Sequence, residues 1–419
     1  TLLLLMPFSN TSGGFTPPLS AIFAATSAAT LTGLDTQETI GFWTKPGQLI
    51  LIAVMGIAGI GSMTFACFFM SRMGHVSNAT TQTAGSALPA NQTQLFRQIF
   101  LRIVIFAVAV QAIGFVALLV RLSFEFEPLD AGWYALYTAV SGFNNAGFIA
   151  LKEPGGLAEF RGDEIVLGIL AALIVLGAIS YWVIVDVVRY RRFSLFTLNT
   201  KLVLILTAAL VLIGMSVFLA SEYQNPATLG SLPVGEKVMI SFFESISGRT
   251  AGFTTVDFGA TEQHTNFFFT SLMFIGGASG SVAGGIKVNT MAVVLVAILS
   301  TMRGRSHASA FGREIPGAQV QRAMVIGAVS TAFVFLVAIM LTFAEPGFDF
   351  IGLFFESVSA FGTVGLSTGL TPDISDWGHF ILVMAMFIGR FGPLTLGLAM
   401  AQRSEADIYR YAQERVTIG

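Results

Sequence analysis

The sequence predicts an all-α polytopic membrane protein built from four tandem repeats. Three observations lead to this fold class. The 419 residues are 54% hydrophobic and 11% charged, with a mean hydropathy of +0.76, whereas soluble domains carry about 25% charged residues. Apolar segments long enough to cross a bilayer recur along the chain, and the shorter semi-apolar stretches between them share one motif.

Eight transmembrane segments are expected. The first is Thr1–Phe8, which is too short to span and lacks the charged region and cleavage site of a signal peptide. We expect it to be the end of a transmembrane helix whose start precedes Thr1. A spanning helix needs about 20 apolar residues, and seven further segments suit this role: Gln48–Met70, Ile99–Leu122, Glu164–Val188, Leu202–Ala220, Asn266–Ser300, Ala323–Phe343 and Phe380–Met400.

Four stretches too short to span lie between these segments. Lengths of this kind are typical of re-entrant or interfacial helices rather than of membrane-spanning ones. The stretches are Leu19–Ala29, Ala131–Ser141, Val234–Ser247 and Asp349–Ala360.

Each short stretch belongs to a repeated motif of aromatic residues, small hydroxyl residues and then Gly-Phe or Gly-Leu. The copies are "IFAATSAATLTGL", "LYTAVSGFNNAGF", "FFESISGRTAGF" and "FFESVSAFGTVGL". Their glycines, Gly33, Gly147, Gly252 and Gly365, are 114, 105 and 113 residues apart. One motif at such a period indicates four copies of one unit, which we expect to be helix, short re-entrant helix, loop and helix.

The motif spacing sets the expected boundaries of the units. Repeat 1 covers residues 1–75, repeat 2 covers 99–192, repeat 3 covers 193–305, and repeat 4 with a short cytoplasmic C-terminus covers 306–419. Residues 76–98 form a cytoplasmic linker of low complexity. The second helix of repeat 3 is expected to be broken at residues 275–288.

Charge predicts the orientation of the chain. The loops Met70–Arg102, Asp186–Lys201 and Ser300–Arg322 are basic, whereas the loops on the other side are acidic. By the positive-inside rule, the basic loops and the C-terminus face the cytoplasm. All four re-entrant stretches then enter from outside, which argues against an inverted-repeat transporter, where the orientation alternates.

Several classes of function find no support in the residues. The segment "IGGASGSVAGGIKV" (Ile275–Val288) is glycine-rich, but a phosphate-binding loop needs Gly-Lys-Ser/Thr after a strand. One cysteine, Cys67, and four scattered histidines suggest neither a disulfide nor a metal cluster. The net charge of −2 indicates no nucleic-acid partner. No nucleophile–base pair is evident, so the chain is not predicted to be an enzyme.

Four re-entrant loops on one side predict M1–pore loop–M2 repeats around a pseudo-four-fold pore, as in potassium channels. The fourth copy contains Thr-Val-Gly, the core of a potassium-filter sequence. Such filters replace the hydration shell of the ion with backbone carbonyls, and helix C-termini aimed at the pore favour a cation. Mere helix packing by small residues is the alternative for one copy, but not for four matched ones. The expected filter residues are Leu31, Thr32, Gly33, Asn145, Ala146, Gly147, Thr250, Ala251, Gly252, Thr363, Val364 and Gly365.

The repeats resemble those of the Trk/Ktr/HKT superfamily of potassium transporters, essentially over the whole chain. The strongest matches are "NNAGF" (Asn144–Phe148), "RTAGF" (Arg249–Phe253), "GGASGSVAGGIK" (Gly276–Lys287) and "FIGRFGPLTL" (Phe387–Leu396). The short C-terminus resembles that of the Ktr-type membrane subunit more than that of the Trk type. Plant members selective for sodium often have serine at the first filter glycine, so Gly33 favours potassium.

The resemblance implies potassium uptake across the cytoplasmic membrane, with K⁺ at the filter as the only metal ion and no bound cofactor. Na⁺ is expected as an activator or co-ion. The resemblance further implies a homodimer with one pore per subunit, sitting on a cytosolic regulatory ring that binds ATP or ADP and comes from another chain. The alternative function is a coupled Na⁺/K⁺ symporter with a closed midplane site.

The resemblance also implies that the glycine-rich segment is an intramembrane gate under the filter. A segment with weak helix preference can adopt two arrangements of similar energy. Lys287 and Arg390 are bases inside apolar segments, where ionisable groups usually face a cavity or a partner; snorkelling to the interface is the alternative. The expected gate residues are Gly276, Gly277, Ser279, Gly280, Ser281, Gly284, Gly285, Lys287 and Arg390.

Three further charges lie on the expected short helices. Arg249 precedes the third filter segment, and Glu244 and Glu356 lie on the helices of repeats 3 and 4. We expect a salt bridge between Arg249 and these carboxylates to brace the filter from behind.

Overall fold

Short helices alternate with long ones along the chain, and the computed structural model describes residues 1–37, 39–79, 92–150 and 156–402. The all-α multi-pass fold class is confirmed. The helices are α1 (Leu2–Leu5), α2 (Pro18–Thr30), α3 (Thr39–Phe42), α4 (Lys45–Ala79), α5 (Gln92–Leu122), α6 (Pro128–Phe143), α7 (Glu164–Ala178), α8 (Tyr181–Tyr190), α9 (Leu198–Glu222), α10 (Val234–Thr250), α11 (Gln263–Phe274), α12 (Val288–Met302), α13 (Gly317–Ala344), α14 (Phe350–Gly362) and α15 (Asp376–Gln402). Short 3₁₀ turns lie at Pro7–Ser9, Gly156–Phe160, Phe193–Leu195 and Phe258–Ala260.

The long helices supply the membrane spans. Within the described residues, α4, α5, α9, α13 and α15 are long and apolar enough to cross a membrane, and α7 with α8 would make a sixth span if counted together. The N-terminal stub forms the short helix α1, which packs on α2 and α4.

The four short stretches that the sequence marks as re-entrant are the helices α2, α6, α10 and α14. Their starts follow from local sequence. Pro18 and Pro128 occupy the first helical positions of α2 and α6, where a missing N–H costs nothing and the fixed φ suits the helix. Asp349 caps α14, since its Oδ2 accepts a hydrogen bond from the N–H of Ile351 at 3.1 Å.

The short helices are held in a closed ring of contacts. The helix that follows each short helix packs against the short helix of the next repeat: α4 on α6, α7 on α10, and α11 on α14. The last helix, α15, packs on α2 and so joins the end of the chain to its beginning. This cyclic pattern brings the four segments that follow the short helices to one axis.

The segment Glu164–Val188, expected as one transmembrane segment, consists of two helices, α7 and α8, bent by 101°. Tertiary contacts break the helix at a site with little local signal. A Cβ on Gly177 would lie 1.9 Å from the carbonyl oxygen of Phe143, so α7 passes very close to the end of α6. After this point Ile179 and Ser180 are extended, and Ser180 is the N-cap residue of α8.

The break predicted in repeat 3 lies between α11 and α12. Residues 275–287 are not helical, and the strand-like bridge between Ile275 and Ile286 closes the segment at its base. We call residues 275–287 the central loop.

Two further features differ from the expected all-helical layout. Ser309–Ala310 (β1) and Arg313–Glu314 (β2) form an antiparallel hairpin. Its turn residues, Phe311 and Gly312, both have positive φ, as the tight hairpin turn requires. The expected linker at 76–98 is helical at both ends, because α4 and α5 continue past their apolar segments. Its middle, residues 80–91, and the expected C-terminal segment from residue 403 lie outside the described residues.

Candidate functional site

Four loops meet at the axis of the ring, one after each short helix. Their glycines all adopt positive φ: +91° at Gly33, +72° at Gly147, +70° at Gly252 and +94° at Gly365. These angles favour glycine because side chains with a Cβ rarely adopt them. The common backbone conformation shows that the four motif copies form equivalent structures.

The residue two positions before each glycine distinguishes the third copy from the others. Leu31, Asn145 and Thr363 are left-handed, with φ of 59°, 53° and 48°. Thr250 instead belongs to the end of helix α10. The third copy is one residue shorter between its aromatic residues and its glycine. Its helix therefore continues at the position where the other three copies have already left the helix.

The four glycines form a closed ring of backbone contacts. A Cβ built on Gly33 would lie 2.5 Å from the carbonyl oxygen of Ala146, and one on Gly147 would lie 2.7 Å from that of Ala251. The ring continues from Gly252 to the carbonyl oxygen of Val364 at 2.2 Å and from Gly365 to that of Thr32 at 2.1 Å. The carbonyl before each glycine therefore lies against the glycine of a neighbouring repeat, and these eight residues are among the twelve expected filter residues.

A serine on each short helix supports the filter segment, a role that the sequence interpretation did not assign. The carbonyl oxygens of Ser27, Ser141, Ser247 and Ser359 accept hydrogen bonds, of 2.8–2.9 Å, from the N–H of the residue before the filter glycine. The Ser27 and Ser359 hydroxyls also accept from the glycine N–H groups at 3.0 and 3.1 Å. The signal in the sequence is a serine six residues before each glycine, or five in the third copy.

The side chain of Asn145 links repeats 2 and 3 across the filter. With its amide oriented to suit its neighbours, Nδ2 donates to the carbonyl oxygens of Gly142 and Ile174, each at 3.1 Å. Its Oδ1 accepts a hydrogen bond from Thr250 Oγ1 at 2.9 Å. One buried amide thus connects α6, α7 and the third filter segment.

The expected salt bridge between Arg249 and the two glutamates is wrong. Glu244 Oε1 accepts hydrogen bonds from the N–H and hydroxyl of Thr255 at 2.7 and 2.9 Å. Glu356 accepts from Thr371 Oγ1 at 2.7 Å and from residues 367 and 368. Hydroxyls and amides that follow each filter segment are closer than the guanidinium, so each carboxylate ties its own filter loop to its own short helix.

Arg249 points the other way, toward the central loop. Its Nη2 donates to the carbonyl oxygen of Gly276 at 3.1 Å. The side chain is almost completely buried. Arg249 therefore connects the end of α10, next to the third filter segment, to the start of the central loop.

The central loop lies directly beneath the fourth filter segment. A Cβ on Gly284 would lie 1.9 Å from Thr363 Oγ1, and one on Gly285 would meet Gly362 at 3.3 Å. Most of the loop is buried, including Gly276, Gly277, Gly280, Ser281, Gly284 and Gly285, whereas Ser279 is half-buried. Glycine at residue 284 is thus required by space, and the loop packs closely against the residues at the start of the fourth filter segment.

The broken second helix of repeat 2 provides the surface on which the central loop docks. The N–H groups of Ala278 and Val282 donate to the carbonyl oxygens of Ala178 and Gly177 at 2.8 and 3.1 Å. These carbonyls are available because α7 ends there. The sequence interpretation missed this contact, although a Gly-Ala pair followed by Ser180 inside an apolar segment is a weak signal for a break.

Both bases assigned to the gate bind the central loop. Arg390, which is 7% exposed, donates from Nη1 to the carbonyl oxygen of Val282 and from Nη2 to Ser62 Oγ. Lys287 is half-buried and donates to the carbonyl oxygen of Ala283. Arg390 joins the central loop to α4 of repeat 1 and α15 of repeat 4.

The chain is similar to known cation transport proteins over nearly its whole length. The family TrkH, described as cation transport protein, matches residues 2–410. Ktr system potassium uptake protein B of Bacillus subtilis is 36% identical over 431 residues, covering 100% of this chain and 93% of that protein. Potassium/sodium uptake protein NtpJ of Enterococcus hirae is 34% identical, with the same coverage. The crystal structure of the potassium transporter TrkH from Vibrio parahaemolyticus has a similar fold, with a TM-score of 0.69 over 93% of this chain and 78% of that chain at 16% identity.

Proposed function

Because the chain belongs to the TrkH family of cation transport proteins, we propose that it carries potassium ions through the ring formed by its four filter loops. Potassium uptake across a membrane is its function, and it is a transporter rather than an enzyme. The assignment of this function to particular residues rests on one observation. Four glycines at positive φ bring four backbone carbonyls to one axis.

The twelve filter residues coordinate K⁺ through backbone oxygens in this proposal. Carbonyl oxygens at close range replace the water molecules that the ion loses. The C-terminal ends of α2, α6, α10 and α14 lie next to the filter, and their partial negative charge favours a cation over an anion. The ring contacts of Gly33, Gly147, Gly252 and Gly365 support this role, since a side chain there would enter the space of a carbonyl.

The central loop is proposed to be the gate, and Arg390 is proposed to hold it closed. The loop lies under Thr363 and consists mainly of small residues, so a modest shift would open the path. Arg390 anchors the loop through the carbonyl oxygen of Val282. Lys287 binds the carbonyl oxygen of Ala283, and Arg249 binds that of Gly276. Loss of these anchors would favour the open arrangement.

The repeat boundaries expected from the sequence and the outward-facing filter belong to the same proposal. The orientation rests on the basic loops, which would face the cytoplasm. The cell membrane is the proposed location.

The partners are proposed from family resemblance. We expect a homodimer with one pore per subunit and a separate cytosolic subunit that binds ATP or ADP. Relatives carrying the name "Ktr system" protein B are consistent with a system of more than one component. Co-purification of the chain with a soluble nucleotide-binding protein supports this expectation, whereas a monomer that binds no soluble protein contradicts it.

A coupled Na⁺/K⁺ symporter is the second candidate. The name of the Enterococcus hirae relative includes both ions, which favours a role for sodium. A closed midplane site fits four parallel loops around one axis less well than a filter does.

Radiotracer potassium uptake into proteoliposomes tests the proposal and separates the two mechanisms. Vesicles that contain the purified protein are expected to take up potassium. Sodium should change the rate of this uptake, but it should not be transported in a fixed ratio to potassium. Fixed Na⁺/K⁺ stoichiometry would establish the symporter instead. No potassium uptake above protein-free vesicles, in either the presence or absence of sodium, would refute both.

A further inference from the structure

A groove between α9 and α12 lies at the end of the bundle opposite the filter. It has a volume of about 440 Å³, within the range of roughly 300–1,000 Å³ found for ligand pockets. Its walls are Leu202 and Ile205 of α9 and Val296 and Leu299 of α12. Ile205 and Leu299 are about half exposed. We call this space the α9–α12 groove.

Two arginines line the end of the groove that is farther from the filter. Arg303 follows α12 directly, and Arg305 lies two residues further. Arg305 donates to Ser309 Oγ at 3.1 Å, whereas the Arg303 side chain has no hydrogen-bond or ionic partner among the described residues. Glu314, the one acidic residue between residues 300 and 322, pairs with His307 instead. The end of the groove is therefore positively charged.

The hairpin closes one side of this charged end. Phe311 at its turn lines the groove and is about half exposed. Lys201 Nζ lies 5.7 Å from the centre of the Phe311 ring and 5.5 Å from that of Phe193. A further positive charge thus lies beside the aromatic rim.

We propose that the α9–α12 groove binds one anionic phospholipid. Its apolar walls belong to helices of the membrane bundle, and Ile205 lies seven residues into α9, a rise of about 10 Å. An acyl chain fits along such walls, and the phosphate fits between Arg303 and Arg305. Basic pockets between transmembrane helices recognise anionic head groups by this combination.

The groove also has a direct connection to the central loop. Helix α12 begins at Val288, immediately after that loop, and the Val288 N–H donates to the carbonyl oxygen of Gly277 at 3.0 Å. A lipid wedged between α9 and α12 would bias the position of α12 and, through it, of the loop. This consequence rests on the gate proposed above, whereas lipid binding itself does not.

Native mass spectrometry of the full-length protein in mixed micelles of phosphatidylglycerol and phosphatidylcholine tests the binding. The parent protein is expected to retain one phosphatidylglycerol in preference to phosphatidylcholine. Arg303→Gln and Arg305→Gln should each reduce this preference about fivefold, the contribution of one basic residue near an anionic lipid. Arg313→Gln, a change at an exposed arginine of the same hairpin that does not line the groove, should leave it unchanged.

Two further arms make the outcome decisive. Ile205→Trp fills the apolar part and should remove the retained lipid while the thermal unfolding midpoint stays near that of the parent. Equal retention of the two lipids by the parent protein would overturn the proposal, as would an unchanged lipid preference in both arginine variants. Displacement of the retained phosphatidylglycerol by inorganic phosphate as readily as by free phosphatidylglycerol would also overturn it. Potassium uptake in vesicles with and without phosphatidylglycerol tests the gate connection separately, since binding without an effect on uptake contradicts only that connection.

Discussion

The hydroxyl of each supporting serine has its own environment, although the four serines share one backbone role. Ser359 Oγ accepts a hydrogen bond from the N–H of Gly365 at 3.1 Å. Ser141 Oγ is buried without a hydrogen-bond partner in the structure. The pair therefore offers a comparison of the same chemical change at two matched positions.

Ser359→Ala should destabilise the protein by about 1 kcal/mol, because it leaves the half-buried Gly365 N–H without its side-chain acceptor. Ser141→Ala should cost less, since no hydrogen bond is lost. Thermal unfolding of the two variants in the same detergent measures the difference. A midpoint for Ser141→Ala at or below that of Ser359→Ala would contradict this account of the filter support.

Arg390 is the second residue whose removal has a defined expected result. It makes two charge-assisted hydrogen bonds, and a hydrogen bond to a charged group contributes about 1.5–3 kcal/mol. If these bonds hold the central loop closed, Arg390→Ala shifts the ratio of open to closed states by about tenfold or more. The maximal rate of potassium uptake should rise, with ion preference unchanged, in cells lacking other potassium systems.

Arg322→Ala is the control, because Arg322 is partly exposed near the start of α13 and makes no hydrogen bond or ion pair with the central loop among the described residues. If the Arg390→Ala variant transports potassium no faster than this control at equal expression, Arg390 does not hold the gate closed and has only a packing role.

Helices α2, α6, α10 and α14 were predictable from the sequence, whereas the break between α7 and α8 was not. The short helices have a repeated motif and clear starts at proline or aspartate. The break occurs in an apolar run, and its cause is the approach of Gly177 to the carbonyl of Phe143 together with the docking of the central loop. Those contacts join residues far apart in the chain, so no local pattern contains them.

The charged residues show the same limit. Arg390 could be predicted to bind the central loop, because a buried guanidinium needs acceptors and an irregular loop supplies them. The expected pairing of Arg249 with Glu244 and Glu356 failed, because hydroxyls in the loops that follow the filter segments donate to both carboxylates. The presence of opposite charges in the sequence did not reveal which other hydrogen-bond partners the fold provides.

The central loop can be tested as an element. Deletion of residues 277–284 removes the part that lies beneath the filter and contacts α7. Because the four filter segments keep their own short helices, the variant should transport potassium faster than the parent while still preferring it to sodium. Uptake equal to or slower than that of the parent, with the same amount of protein in the membrane, would contradict a gating role.

At the scale of the whole molecule, the chain closes on itself. The contact of α15 with α2, and that of Gly365 with Thr32, join repeat 4 to repeat 1. Every repeat therefore contributes one glycine and one carbonyl to the ring, and a defect in any one copy should affect the same property. A filter built mainly by one repeat would make the other three copies tolerant of change.

The most direct test of this central claim is the potassium-to-sodium uptake ratio of Gly33→Ser, Gly147→Ser, Gly252→Ser and Gly365→Ser. Each variant places a side chain at positive φ and against a neighbouring carbonyl. Gly61→Ser in α4, where a Cβ would meet nothing within 4 Å, is the control. We predict that all four filter variants lower the ratio by about tenfold, equivalent to roughly 1.4 kcal/mol, and that the control does not. An unchanged ratio in the four variants, with transport retained, would contradict a single filter shared by the four repeats.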